Sequence, residues 1–188
     1  MFEYARDTSG WEDWQHGYRF GAFYVFPPPE VREPIDALRR VHDPRSDAIC
    51  SAHISVSEPL VGTLTDAQLD EVAAALHRVE PFTIRYERLT SLPPHPGVVY
   101  AVEPRRRLLN LRTALHRTSP FRVVSLRRHH VTPHMAIAEF IPPERTGPLL
   151  EELARTAPVG EFRCDAVQYA VPDAAFRVEP VLSLPLGR

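Results

Sequence analysis

The sequence predicts an α+β protein made of two pseudo-symmetric lobes, each an antiparallel sheet with helices outside, and a cleft between the lobes. Three observations carry that expectation. The order of elements nearly repeats: strand, helix, strand, helix, strand, and then the same again. Strand-like runs alternate with single amphipathic helices that would cover one side of a sheet. Two short apolar strings, His53-Ile54-Ser55-Val56 and His134-Met135-Ala136-Ile137, fall at matching points of the two rounds.

The elements follow in order. Residues 1–17 are polar apart from a few aromatics and read as an N-terminal arm, leaving 18–188 as one bilobal domain. Tyr18 to Phe26 is aromatic and β-branched and stops at Pro27-Pro28-Pro29, which predicts a strand with a hard end. Glu30 to Val41 places Val31, Ile35, Leu38 and Val41 at helical spacing, and Asp43-Pro44 ends that helix. Ile49 to Val56 alternates and reads as the first histidine strand. Thr65 with Gln68 three residues on forms a capping-box pattern for a helix with Leu69, Val72, Ala73 and Leu76 inward.

Pro81 ends that helix. Phe82 to Leu89 and Val98 to Val102 read as strands joined through the turn-rich Pro93-Pro94-His95-Pro96-Gly97. Pro104 opens a helix over Arg105 to Arg117, with Leu108, Leu111 and Leu115 inward. Phe121 to Leu126 fits no single pattern. Pro133 to Phe140 is the second histidine strand, followed by a helix from about Glu144 to Thr156. Phe162 to Val171 and Phe176 to Leu184 read as the last two strands.

Bulk properties narrow the function classes. A net charge of −2 argues against a non-specific grip on long nucleic acid, which needs a basic excess. A short anionic ligand fits better. All 22 basic residues are arginine, which suits bidentate phosphate contacts, although a GC-rich genome is the better account of that bias. Cys50 and Cys164 have no zinc-type spacing, so free thiols are expected. The polar N-terminus lacks the apolar core of a signal peptide, and no apolar run has the length of a membrane span. A soluble, cytoplasmic monomer without a membrane partner is the expectation.

Residues i and i+2 of a strand share a face. His53, Ser55 and Ser57 therefore point together, and so do His130, Thr132, His134 and Ala136 if the strand runs back past Pro133. The first string presents an imidazole beside a hydroxyl, the second an imidazole beside a methyl. A lone histidine next to a serine is most often structural, half-buried and satisfied by one hydrogen bond. Two at corresponding points of a repeated topology point instead to a shared site. Together they supply a base and an acid, the minimum for opening a phosphodiester without a metal.

In these residues the chain resembles the 2H phosphoesterase superfamily, in its branch of 2′-5′ RNA ligase-like proteins and cyclic phosphodiesterases. That family carries two His-x-Thr/Ser-x motifs, each followed by an apolar residue. Ala52-His53-Ile54-Ser55-Val56 matches the first, and Thr132-Pro133-His134-Met135-Ala136-Ile137-Ala138 resembles the second, its proline included. The resemblance spans roughly Tyr18 to Leu184. Two positions depart from it: Ala136 replaces the second hydroxyl, and Glu139 stands where many members carry a basic residue.

The resemblance implies a metal-independent phosphodiesterase acting on 2′,3′-cyclic phosphates or 2′-5′ linked nucleotides and RNA ends, with its site in the cleft. His53 and His134 would be the acid–base pair, with no metal or other cofactor. Ser55 would donate to a phosphoryl oxygen, the Ala136 position would face the same group, and Thr132 offers a nearby hydroxyl. Apart from the resemblance, the basic run Arg127-Arg128-His129-His130 offers Arg127 and His130 to a second phosphate of a longer ligand, although a solvated strand entry is the commoner reading of such a run. The partner would be a nucleotide or short RNA bearing a cyclic or 2′-5′ phosphodiester. The alternative is a nucleotide or RNA-end binding protein of the same fold with weak or no catalysis, which Ala136 favours.

Overall fold

Proline punctuates most of the elements in the computed structural model, which describes residues 2–122 and 132–187. The first strand, β1 (Ala22–Val25), ends just before Pro27 and Pro28, and Pro29 takes the first position of α1 (Pro29–His42), where its missing N–H costs nothing. Asp43 then ends α1 and caps α2 (Pro44–Ile49), its carboxylate accepting from Ser46 N at 3.0 Å.

The strand expected over Ile49 to Val56 is much shorter: β2 covers only Ile54–Ser55. Residues before it have their backbone groups satisfied by α1 side chains rather than by a ladder. Arg39 donates to the Cys50 carbonyl at 2.8 Å, and Ala52 N donates to Asp36 Oδ1 at 2.7 Å. The capping box at Thr65 is present and starts α3 (Asp66–Leu76). A hairpin follows, β3 (Phe82–Leu92) and β4 (His95–Glu103), and then α4 (Arg105–His116). After the undescribed stretch come β5 (His134–Ala138) and α5 (Pro143–Leu153). The run expected as one strand over Phe162 to Val171 breaks at Asp165 into β6 (Gly160–Cys164) and β7 (Ala166–Pro172), which enter different sheets; β8 (Val178–Pro185) completes the chain.

Two four-stranded antiparallel sheets result, ordered β2-β1-β7-β8 and β5-β4-β3-β6. This is the two-lobed α+β architecture expected, with one refinement: the lobes are not the two sequence halves. The first sheet draws on both ends of the chain and the second on its middle. Among the described residues, β2, which directly follows His53, and β5, which begins at His134, lie at the sheet edges, each paired antiparallel to the strand that precedes it across a helical connection. The two edges meet, with Cα atoms of β2 and β5 approaching within 8 Å. One continuous core, including Phe23, Ile54, Ile84, Tyr100, Leu111 and Tyr169, joins the lobes.

The arm is tied to the first sheet. Trp11 is buried and donates from Nε1 to the Ala174 carbonyl at 3.0 Å, and Tyr4 Oη lies 3.2 Å from Tyr169 Oη. At the other edge, Gly97 sits where β4 crowds the end of β5. Its φ is +130°, and a Cβ there would lie 2.3 Å from the Ala138 carbonyl oxygen. Only glycine fits without moving β5. Replacing Gly97 by alanine should lower stability by about 1–3 kcal/mol, the cost of a strained backbone position. Urea unfolding measures this, and an unchanged midpoint would contradict the packing described.

Candidate active site

The two histidines are held in the same way. Nδ1 of His53 lies 2.8 Å from the Ser51 carbonyl, and Nδ1 of His134 lies 2.8 Å from the Thr132 carbonyl. Each ring is thus fixed by the backbone two residues upstream. A carbonyl can only accept, so Nδ1 carries the proton and Nε2 of a neutral ring carries the lone pair. This is the tautomer needed for exchange of a proton with a ligand through Nε2. Both rings are half-buried.

Their surroundings differ. His53 packs edge-on against Tyr24, with centroids 4.9 Å apart, and beside Phe26 at 5.8 Å. Burial drives its pKa down to about 4; the Arg39 and His134 charges push the same way, against the Ser51 carbonyl and Glu139. His134 instead has Glu139 Oε1 at 3.9 Å from Nε2. Desolvation opposes the Glu139 charge, but His134, and then His53 and Arg39, more than offset it and hold the carboxyl below its usual range. Glu139 is itself placed by Asp43, whose Oδ2 accepts from Glu139 N at 2.7 Å and Phe140 N at 2.9 Å. Burial works against the Asp43 charge too, yet these N–H groups and Ser46 leave its carboxyl lowered.

The other expected residues divide. Ser55 is exposed and ends β2, two residues after His53, which precedes that strand. Ser57 does not join them: it is buried, accepts from Phe23 N at 2.9 Å and donates to the Glu58 carbonyl. Ala136 is 6% exposed, and its carbonyl accepts from Arg39 Nη1 at 2.7 Å. Thr132 lies outside the strand, which starts at His134, and meets that ring through its backbone carbonyl. Arg127 and His130 lie outside the described residues, as do Arg128 and His129. The arginines opening α4 are surface groups; Arg107 reaches the Glu80 carbonyl and covers the Phe82 ring. Both cysteines are free and buried. No cluster of His, Cys, Asp and Glu suited to a metal occurs among the described residues.

Sequence reasoning missed the polar face of α1. Its buried residues are Ile35, Asp36 and Arg39, whereas Val41, expected inward, is 73% exposed. Hydrophobic periodicity counts Asp and Arg as surface. The available signal was that Asp36, Arg39 and Asp43 share one helical face at spacings of three and four. His116 was also passed over. It accepts from Glu58 N at 3.0 Å, stacks on Phe121 and is pushed by burial to about 4, a structural histidine.

Since His53 and His116 both have pKa values lowered from about 6.5 on folding, the unfolded chain binds more protons between roughly pH 6.5 and 4. Their contribution to stability is present above that window and is lost as pH falls through it. Side-chain ¹⁵N NMR should find His53 in the Nδ1–H tautomer with a midpoint near 4. A midpoint at or above 6.5 would contradict the environment described.

Comparison with known proteins bears on the family and the fold. A family model described as the 2′-5′ RNA ligase superfamily matches residues 27–175. A search of curated proteins returns no match. Among solved structures, Escherichia coli LigT complexed with NADP+ is similar at 17% identity and a TM-score of 0.57, covering 89% of this chain and 97% of that one. The same protein complexed with 3′-AMP gives 18% and 0.57, with 89% and 96% covered. TT0787 of Thermus thermophilus gives 16% and 0.53, with 89% and 98% covered. At these identities the structures establish likeness of fold.

Proposed function

The chain belongs to the 2′-5′ RNA ligase superfamily, and from that premise we propose that it is a metal-independent phosphodiesterase opening 2′,3′-cyclic phosphates or 2′-5′ linkages by two-histidine acid–base catalysis. One observation carries the reading. Two histidines on adjoining sheet edges are each fixed through Nδ1 by a carbonyl two residues upstream, so both have Nε2 as the exchanging nitrogen. A structural histidine has no need of a second in matching geometry across a seam.

In this reading a water attacks phosphorus while one Nε2 takes its proton. The bond from phosphorus to the departing ribose oxygen breaks, and the other imidazolium protonates that oxygen. A single ring held neutral suits the base, which fits His53. The Glu139 carboxylate beside His134 Nε2 stabilises positive charge on that ring, which fits the acid. Ser55 supplies a hydroxyl toward the phosphoryl oxygens, where preorganised donors lower the barrier. The nucleotide ligands of LigT, NADP+, ATP and 3′-AMP, are consistent with a nucleotide ligand here. Alanine at His53 or at His134 should each abolish hydrolysis of adenosine 2′,3′-cyclic phosphate. Full turnover in either folded variant would overturn the assignment.

The second reading, a binder with weak or no turnover, is favoured by Ala136. A hydroxyl donating to a charged oxygen contributes about 1.5–3 kcal/mol, or one to two decades of rate at about 1.4 kcal/mol each. Threonine at position 136 should therefore raise turnover by roughly ten- to a hundredfold if the wild-type protein is a slowed enzyme. Tight calorimetric binding of the cyclic nucleotide, with no product from either protein, would select the binder.

A further inference from the structure

We propose that Arg39, oriented by Asp36, is the positioning residue of this site: a buried clamp that sets the two histidine strands at their working separation. The proposal rests on the two-histidine reading above and adds to it a residue from neither motif.

The contacts carry it. Arg39 is 2% exposed, and its guanidinium bonds three backbone carbonyls from two segments, α2 with its C-cap and β5. Nη1 donates to Ala136, two residues beyond His134 on β5, at 2.7 Å. Nη2 donates to Cys50, three residues before His53, at 2.8 Å, and to Ser46 at the heart of α2, at 2.9 Å. The same helix supplies Asp36, whose Oδ1 accepts from Ala52 N, one residue before His53, at 2.7 Å. The two carboxyl and guanidinium groups face each other at 3.6 Å from Oδ1 to Nε. One rigid fork thus grips the backbone beside each catalytic histidine, and a second side chain grips the first motif again. Lysine offers one charged point in place of that fork and cannot span three fixed acceptors in the same way.

The clamp has an electrical consequence that simple scaffolding lacks. Its three acceptors are neutral carbonyls; Asp36 lies 3.6 Å from Nε, and the guanidinium charge also acts on the Glu139 carboxylate. The groups facing His53 are Arg39 from α1, the Tyr24 ring from β1 and the Phe26 ring just after it, the Ser51 carbonyl, and His134 from β5 with Glu139 just beyond its end. After burial, Arg39 is the strongest of the groups that disfavour the imidazolium. It therefore places the ring and also keeps it available as a base.

Arg39→Lys and Arg39→Met separate these two effects. The lysine variant keeps the charge and loses the fork. It should hold KM for adenosine 2′,3′-cyclic phosphate within about threefold and lose about 10–100-fold in kcat, the usual result of a small misplacement of reacting groups. The methionine variant also loses the charge, so the His53 midpoint read by ¹⁵N NMR without substrate should rise by about one unit. A folded lysine variant with wild-type kcat, or a folded methionine variant with an unmoved midpoint, would overturn the proposal. If the methionine variant fails to fold, the lysine variant decides; a lysine variant that also fails to fold makes Arg39 a residue of stability alone and overturns it too. Absence of turnover in the wild-type protein would count against the phosphodiesterase reading, while the NMR midpoint would still judge the clamp.

Discussion

Arg39 Nη1 donates to the Ala136 carbonyl while Nη2 donates to Cys50, and this pair of contacts crosses the join between the two sheets. Among the described residues, β2 and β5 are edge strands of separate sheets, each paired on its inner side to β1 or β4. A site made from both edges needs something to hold one edge against the other. The polar face of α1 does this. Asp36 and Arg39 hold the entry to β2, Arg39 holds the middle of β5, and Asp43 holds its exit through Glu139 N and Phe140 N.

Burying such a pair is costly. Losing one partner of a buried ion pair typically costs about 3–5 kcal/mol, whereas replacing both by apolar residues is often neutral. Apolar side chains could close this seam, but they could not bond carbonyls on both strands. The carbonyls at Ala136, Cys50 and Ser46 would otherwise be desolvated without partners. Directional bonds also define position more sharply than packing does, and acid–base chemistry depends on position. Arg39 Nε has no hydrogen-bond partner among the described residues, its contact with Asp36 being a longer ion pair, which leaves Asp36 Oδ1 for Ala52 N.

Much of this was legible in the sequence where one residue type has one dominant physical preference. Proline marked the end of β1 and the start of α4. Thr65 and Gln68 marked a helix start that the structure matches bond for bond. His53 and His134 stood out because their two strings repeat at matching points of the element order. What was illegible is non-local. Nothing within Ile49 to Val56 says that its backbone will bond to Asp36 and Arg39, so the strand was read too long. Val41 satisfies helical periodicity yet faces outward, because Asp43 turns the chain into α2 and the charged face goes inward. Asp165 splits an apparently continuous strand because the two sheets compete for its ends. Ala136 was legible as a missing hydroxyl, but its carbonyl's role in the seam needed coordinates.

The central claim is that the two edges form one phosphoryl-transfer site, with both Nε2 atoms facing a single phosphorus. A crystal structure with a nucleoside vanadate, in which pentavalent vanadium mimics the trigonal-bipyramidal geometry of phosphorus under attack, tests it most directly. The account predicts vanadium between the histidines, with one oxygen within hydrogen-bond distance of His53 Nε2, another within reach of His134 Nε2, and Ser55 at the equatorial oxygens. Vanadate bound to one histidine alone, or away from both, would contradict it.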